Sequence, residues 1–379
     1  MLVVHSPLCL LHDPPTEILS GKPVPYKESP DRLVRVRNAL SNDPQRKYEL
    51  TAVDDGLDVL PDILRVHSED YVVYLRRAYS DWVEEGGDKQ GVLPESFPHP
   101  KLPPYKLDPA KMSAIARAGM HLHRAIDILS LLNDVGGYYC FDLSCPITED
   151  TFEAIMASAR VAVRAAQLLV DGTQSTAAPH GIFALTRPPG HHAGTGVCGG
   201  YCYLNNAAIA VRCLQDAVPA GTAKPRVAIL DIDYHHGNGS QEIFYSDDSV
   251  FYISLHAEGD YPYFTGSSVE EGEGPGVGFN LNIPLPQHTT GDDEYLATLD
   301  LAGKAISDYR PDYLVVSLGV DTYKDDPICC FNLTTPCYSR IGARIRELRL
   351  PTLFLFEGGY CMEVLGENVK GVLDGFLGS

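Results

Sequence analysis

A chain of 379 residues, 44% of them hydrophobic, has room for one large α/β domain or two average ones, with a sizeable core. Its formal net charge of −20 argues against nucleic-acid binding, which draws its affinity from clustered Lys and Arg. An acidic surface instead attracts cationic substrates such as polyamines or lysine-rich tails.

Met1-Leu2-Val3-Val4-His5 turns polar too soon for a signal peptide, and Leu2-Val3-Val4 reads as a first strand. Pro23, Pro25 and Pro30 punctuate a loop before a helix from about Asp31 to Leu40. Its Arg32, Arg35 and Arg37 are expected on a solvated face or in internal pairs. A helix near Ser68 to Trp82 leads into an irregular segment, Glu84 to Pro109, carrying Gly86, Gly87 and prolines at 94, 98, 100, 103, 104 and 109. A loop this long inside a compact domain is a functional or assembly element. Lys111 to Leu132 alternates apolar and basic residues at helical spacing, and Tyr138-Tyr139-Cys140-Phe141-Asp142 is expected as a loop near the site. Thr148-Glu149-Asp150 then caps an Ala-rich helix through Leu169, whose alanines predict close helix packing. No linker-like tract divides the chain, so residues 1–379 are read as one domain. No apolar run reaches a membrane span, and ten cysteines (9, 140, 145, 198, 202, 213, 329, 330, 337 and 361) form neither a CxxC ribbon nor a disulfide framework. A reduced cytoplasmic protein is expected, with the nucleus as the other compartment.

The chemistry gathers where apolar runs end. Val227-Ala228-Ile229-Leu230 reads as a buried parallel strand and delivers Asp231-Ile232-Asp233-Tyr234-His235-His236-Gly237. Asp233 and His235 stand two apart, so on extended chain they point the same way. A carboxylate and an imidazole converging there suit a divalent cation, zinc first, although a solvated turn has the same composition. Four further runs behave alike. Gly181–Leu185 leads to Arg187-Pro188-Pro189-Gly190-His191-His192, and Val250–Leu255 stops at His256. Tyr313–Leu318 passes Gly319 to Asp321, and Thr352–Phe356 runs into Glu357-Gly358-Gly359-Tyr360. In open α/β sheets the crevice outside the carboxyl ends of the strands binds ligands. Asp321 is the best third metal ligand, the tandem histidines suit acid/base work, and the Tyr360 phenol suits donation to a developing oxyanion.

On these motifs the chain resembles the histone deacetylase superfamily, most of all its acetylpolyamine amidohydrolases and class II-type deacetylases. Arg187 to His192, Gly199 to Asn206, Asp231 to Gln241, Ser254-Leu255-His256, Ser317 to Pro327 and Glu357 to Tyr360 carry the likeness. The resemblance implies an arginase/deacetylase-like α/β fold, a central parallel sheet flanked by helices, with the site at the carboxyl ends of the strands. It implies one catalytic zinc on Asp233, His235 and Asp321. Asp231 would orient His191, Asn238 would partner His192, and Tyr360 would stabilise the oxyanion. Class I enzymes carry Asp where Asn238 stands, which places the chain on the class II side. Tyr201 and Tyr261 would wall a narrow tunnel, with Gly200 and Ile328 at its lining and gate. One potassium would use Asp231, Asp233, His235, Ser254 and Leu255, and a second would lie near Phe244, Asp247 and Val250.

The expected activity is removal of acetyl groups from small acetylated amines, acetylpolyamines foremost, with protein acetyl-lysine as the alternative. Ile328 offers no charge selection at the gate, and the rim stretch offers Asp134, Asp142 and Ser144. A binuclear ureohydrolase would need an additional acid where His236-Gly237 stands. A silent acyl-lysine binding module would have lost Tyr360 or a histidine. The Glu84 to Pro109 loop, by likeness to polyamine enzymes, predicts a homodimer.

Overall fold

A computed structural model describes residues 1–94, 139–173, 181–217 and 223–378. The chain opens with β1 (Leu2–His5), β2 (Thr16–Leu19), β3 (Lys22–Pro25), α1 (Asp31–Ser41), β4 (Glu49–Ala52), α2 (Leu60–Ile63) and α3 (Glu69–Glu84). Its middle holds α4 (Thr151–Thr173), β5 (Gly181–Ala184), α5 (Asn206–Asp216), β6 (Val227–Asp231), α6 (Asn238–Phe244) and β7 (Val250–Ala257). The last part comprises β8 (Asn280–Leu285), α7 (Asp292–Tyr309), β9 (Tyr313–Leu318), α8 (Thr335–Glu347), β10 (Thr352–Phe356) and α9 (Leu365–Leu377).

Among the described residues, eight strands form one sheet in the order β4-β1-β5-β10-β9-β6-β7-β8, and every neighbouring pair is parallel. Parallel strands are covered on both faces, so their sequences are continuously apolar. Accordingly β6, β7 and β10 are buried at every residue and β9 at all but its first. Each fully buried Val, Leu, Ile or Phe side chain contributes about 1.5–3 kcal/mol, which makes this central slab the stable platform for the site. Helices flank the sheet. α4 lies along β1, β5 and β10 and against α5, while α9 packs on α8 and α1. Ala154, Ala157, Ala159, Ala162, Ala165 and Ala166 of α4 are fully buried, so the alanine run does reflect close packing.

The five strands expected to converge, β5, β10, β9, β6 and β7, are consecutive in the sheet. Other expectations shift. The Pro23 and Pro25 stretch is not a loop: it is β3, paired antiparallel with β2 in a hairpin separate from the main sheet, where proline costs no central ladder bond. β7 does not stop at His256 but continues to Ala257. The arginines of α1 do stand as expected, Arg35 solvated and paired with Asp31 and Arg32 in a fully buried pair with Glu28. The helix expected over Lys111 to Leu132, Asp134, Tyr138 and residues 95–109 of the Pro-rich loop lie outside the described residues.

A buried charge cluster braces the region behind the strand ends. Glu28 Oε1 accepts from Arg32 Nη1 at 2.7 Å and from Arg187 Nε at 2.8 Å. Arg187 also donates to the backbone carbonyls of Cys9, His12 and Glu28, and Arg32 to those of Glu357 and Gly359. Removing one partner from such a buried pair costs about 3–5 kcal/mol, so the brace fixes the loop that carries Tyr360.

Candidate active site

Asp231 is the last residue of β6, and the chain beyond it turns back on its own carboxylates. Asp233 N donates to Asp231 Oδ1 at 3.2 Å, and His235 N donates to Asp233 Oδ1 at 2.9 Å. Asp321 follows the end of β9 and accepts the Tyr234 N–H at 2.9 Å. The result is a compact trio. His235 Nδ1 lies 3.2 Å from Asp233 Oδ1 and 3.1 Å from Asp321 Oδ2. Both carboxylates are fully buried. Gly358 N donates to Asp233 Oδ2 at 2.8 Å, and a side chain at Gly319 or Gly358 would collide with these carboxylates. Glycine is needed at both positions for that close approach.

Burial, and then the charge of Asp233, push the Asp321 carboxyl up. Burial alone would lower His235, but its bonds to Asp233 and Asp321 raise it to about 10. Negative charge concentrated this tightly favours a bound cation. Two carboxylate oxygens and an imidazole nitrogen suit zinc, whose tetrahedral bonds of 2.0–2.2 Å set ligand atoms about 3.3 Å apart. The trio fits that ion. Cys329, which the sequence did not single out, has its Sγ 3.8 Å from His235 Nε2, the ring nitrogen turned away from both carboxylates.

The tandem histidines sit beside this cradle with ring centroids 4.0 Å apart. His191 Nδ1 donates to Asp231 Oδ2 at 3.1 Å, and that oxygen also accepts from Tyr252 Oη at 3.0 Å. His192 Nδ1 donates to Asn238 Oδ1 at 2.8 Å. Their charges diverge. Burial opposes the charge on His191, yet Asp233 and Asp231 outweigh it and raise the group to about 10. Burial, reinforced by His191 and His235, holds His192 well below the ordinary histidine range. The surroundings therefore favour the charged form of His191 and the neutral form of His192.

Tyr360 lies in the loop after β10, with its N–H on Asp326 Oδ2 at 2.7 Å and the Arg32 guanidinium 4.8 Å from its ring centre. Burial pushes its phenol well above 10, so it is a hydrogen-bond donor at neutral pH. Tyr201, Tyr360 and Tyr26 form a small aromatic cluster against which Ile328 packs. On the other side, the Tyr261 ring stands 5.0 Å from His192 and 5.8 Å from His235. Gly200 adopts φ +56°, and a side chain there would overlap the His192 ring. Of the residues expected to line a tunnel, Tyr261 and Gly200 lie beside His192, and Tyr201 and Ile328 lie beside Tyr360.

Two acids missed as structural supports shape this wall. Glu17, in β2, accepts from Tyr201 Oη at 2.7 Å. Asp142 accepts from Tyr261 Oη at 2.6 Å, Gly200 N at 3.0 Å and Ser144 Oγ at 2.8 Å. Asp142 thus braces the wall while remaining half-buried. Ser254 pairs in register with Asp231, and its Oγ lies 2.8 Å from His256 Nδ1. Leu255 follows in the same strand. Phe244 ends α6, and Asp247 bonds Arg212 and Ser249 ahead of Val250, the first residue of β7. Ser254 and Leu255 therefore lie at the carboxyl end of the sheet beside Asp231, whereas Phe244, Asp247 and Val250 stand at the amino end of β7. His256, by contrast, donates Nε2–H to Gly266 O at 2.9 Å, and its ring lies tilted 4.7 Å from that of His236.

A buried cation cradle facing a histidine pair and a phenol, at the carboxyl edge of a parallel sheet, has the geometry of a metal-dependent hydrolase. The histone deacetylase domain family matches residues 26–376, and the chain belongs to that family of deacetylases. It is 43% identical over 388 residues to acetylpolyamine amidohydrolase 1 of Pseudomonas aeruginosa, covering 100% of this chain and 99% of the relative. Acetylpolyamine amidohydrolase 2 of the same organism is 39% identical over 383 residues, with 100% and 99% coverage. Among solved structures, acetylpolyamine aminohydrolase from Burkholderia pseudomallei superposes with a TM-score of 0.83 at 33% identity, over 99% of this chain and 98% of that one. The HDA15 HD domain superposes at 0.73 with 26% identity, over 100% and 91%. The expected family and arginase/deacetylase fold are both borne out.

Proposed function

We propose that the chain is a single-domain, zinc-dependent amidohydrolase that removes acetyl groups from small acetylated amines, acetylpolyamines foremost. The observation that carries this reading is the convergence of Asp233, His235 and Asp321 within about hydrogen-bond distance, beside the paired rings of His191 and His192. The names of the most similar relatives support the substrate class.

Asp233, His235 and Asp321 would hold the zinc. When bound, zinc supplies Lewis-acid polarisation of the amide carbonyl and acidifies water. His192, neutral and with Nδ1 committed to Asn238, presents Nε2 to take a proton from the attacking water. His191, held as a cation by Asp231 and Asp233, stabilises the negative charge that develops, and the pair returns a proton to the departing amine. Tyr360 donates its hydroxyl to the developing oxyanion. Tyr201 and Tyr261, backed by Glu17 and Asp142, admit a slender chain and exclude water from its flanks. Asp231, Asp233, His235, Ser254 and Leu255 would hold one potassium, and the Phe244, Asp247 and Val250 segment a second.

The base assignment has a pH signature. Asn238→Asp puts a carboxylate on His192 Nδ1, which favours imidazolium, so the acid limb of the kcat/KM profile should move up by about one unit or more. An unmoved limb would show that His192 is not the base.

Protein acetyl-lysine is the second reading, favoured by the neutral Ile328 and by the internal commitment of Asp142. Side-by-side kcat/KM on an acetylpolyamine and an acetyl-lysine peptide, each across ionic strength, separates the two. The cationic acetylamine should be the better substrate and should lose rate as salt rises, since screening at 0.15 M acts over about 8 Å. A preference for the peptide would overturn the substrate, and equal salt dependence would remove steering by the acidic surface.

The Glu84 to Pro109 segment is proposed as a dimer element and the protein as a cytoplasmic homodimer; light scattering that returns a monomer mass would reject this. Among the described residues, no helix is long and apolar enough to cross a membrane.

A further inference from the structure

We propose that His191, Cys202 and Glu357 form a second cation site, which takes a thiophilic divalent ion such as zinc or cadmium and thereby inhibits the enzyme. One ligand atom from each lies within 4.8 Å of the others, and all three side chains are buried. None of them belongs to the Asp233, His235 and Asp321 set. Each has a donor to spare. Glu357 Oε2 accepts the Gly190 N–H at 2.7 Å and the His191 N–H at 3.3 Å. Its other oxygen, Oε1, is fully buried without a hydrogen-bond partner among the described residues. His191 Nδ1 is engaged with Asp231, which leaves Nε2 as the coordinating nitrogen. A carboxylate behind an imidazole is the arrangement that orients a metal-binding histidine and raises its basicity. Cys202 Sγ makes a weak contact of 3.2 Å with Gly200 O.

The donor chemistry selects the ion. One sulfur, one nitrogen and one oxygen favour zinc and its softer relatives over magnesium, calcium or potassium. Tetrahedral zinc sets such atoms about 3.3–3.7 Å apart, so capture draws the three side chains in by about 1 Å, and the larger cadmium ion needs less movement. The ion displaces two protons, one from the Cys202 thiol and one from His191 Nε2, and both pass to solvent, leaving a metal–thiolate bond and a metal–imidazole bond. Occupancy removes His191 from the histidine pair. That consequence rests on the catalytic reading of His191; capture of the ion does not.

The test uses full-length enzyme loaded with one zinc per chain and titrated with cadmium, with zinc content followed by metal analysis. One further equivalent should bind, an ultraviolet thiolate-to-metal charge-transfer band should rise with it, and turnover should fall in step. Cys202→Ser should keep basal turnover, lose the band and need more than ~10-fold more cadmium for half-inhibition. Glu357→Gln, whose amide oxygen can still accept from Gly190 and His191, should weaken the band's onset while the fold stands. An undiminished band in Cys202→Ser, or a second equivalent held by both variants as tightly as by the parent, overturns the site. Binding and band without loss of turnover would overturn the inhibition and with it the role given to His191.

Discussion

Replacing Asp321 by alanine is expected to remove bound zinc and turnover together. The carboxylate supplies one of the three atoms of the cradle through Oδ2 and accepts the Tyr234 N–H through Oδ1. Losing only a hydrogen-bond partner behind a metal ligand already costs 10–100-fold in affinity, so losing a ligand should cost well over ~100-fold. The remaining Asp233 and His235 pair would hold zinc too weakly to survive desalting. Near-stoichiometric zinc and parental turnover in the variant would sink the assignment of Asp321. A folded, metal-free and inactive variant is the supporting result, with circular dichroism checking the fold.

Tyr360→Phe should leave metal content intact and cut kcat by roughly 10²–10³, the scale for removing one donor to an oxyanion. The phenol is the only group changed, since the ring stays packed against Tyr201 and beneath Arg32. Because the donor matters most in the transition state, KM should change far less than kcat. Near-normal turnover would show that Tyr360 acts as a wall residue alone.

The parallel strands of the middle of the sheet were legible because burial on both faces leaves an unbroken apolar run, as in Val227–Leu230 and Thr352–Phe356. The residues that follow those runs inherit their position from the strands, which is why Asp233, His235, Asp321, His191, His192 and Tyr360 could be gathered from sequence. Edge elements gave no such signal. β4 has no fully buried residue, β8 carries Asn280, Asn282 and Pro284, and the prolines of β3 read as loop. Supports across long separations were equally hidden. Arg32 meets the carbonyl of Gly359 from 327 positions away, and Glu17 reaches Tyr201 from 184. No local pattern marks such partners, because only the closed fold brings them together. Asp142 was visible as an acid, but the bonds that its Oδ2 makes to Tyr261 and Gly200 were not.

The β2–β3 hairpin stands outside the main sheet, yet its Glu17 sets where the Tyr201 hydroxyl rests. The residues proposed to break the bond follow the central strands, whereas this part of the proposed entrance is held by a peripheral ribbon. Changes in the ribbon can therefore resculpt what enters without disturbing the strands that make the reaction possible. Such modularity gives descendants of one deacetylase a short mutational route to new acyl-amines, with drift in the hairpin as its raw material.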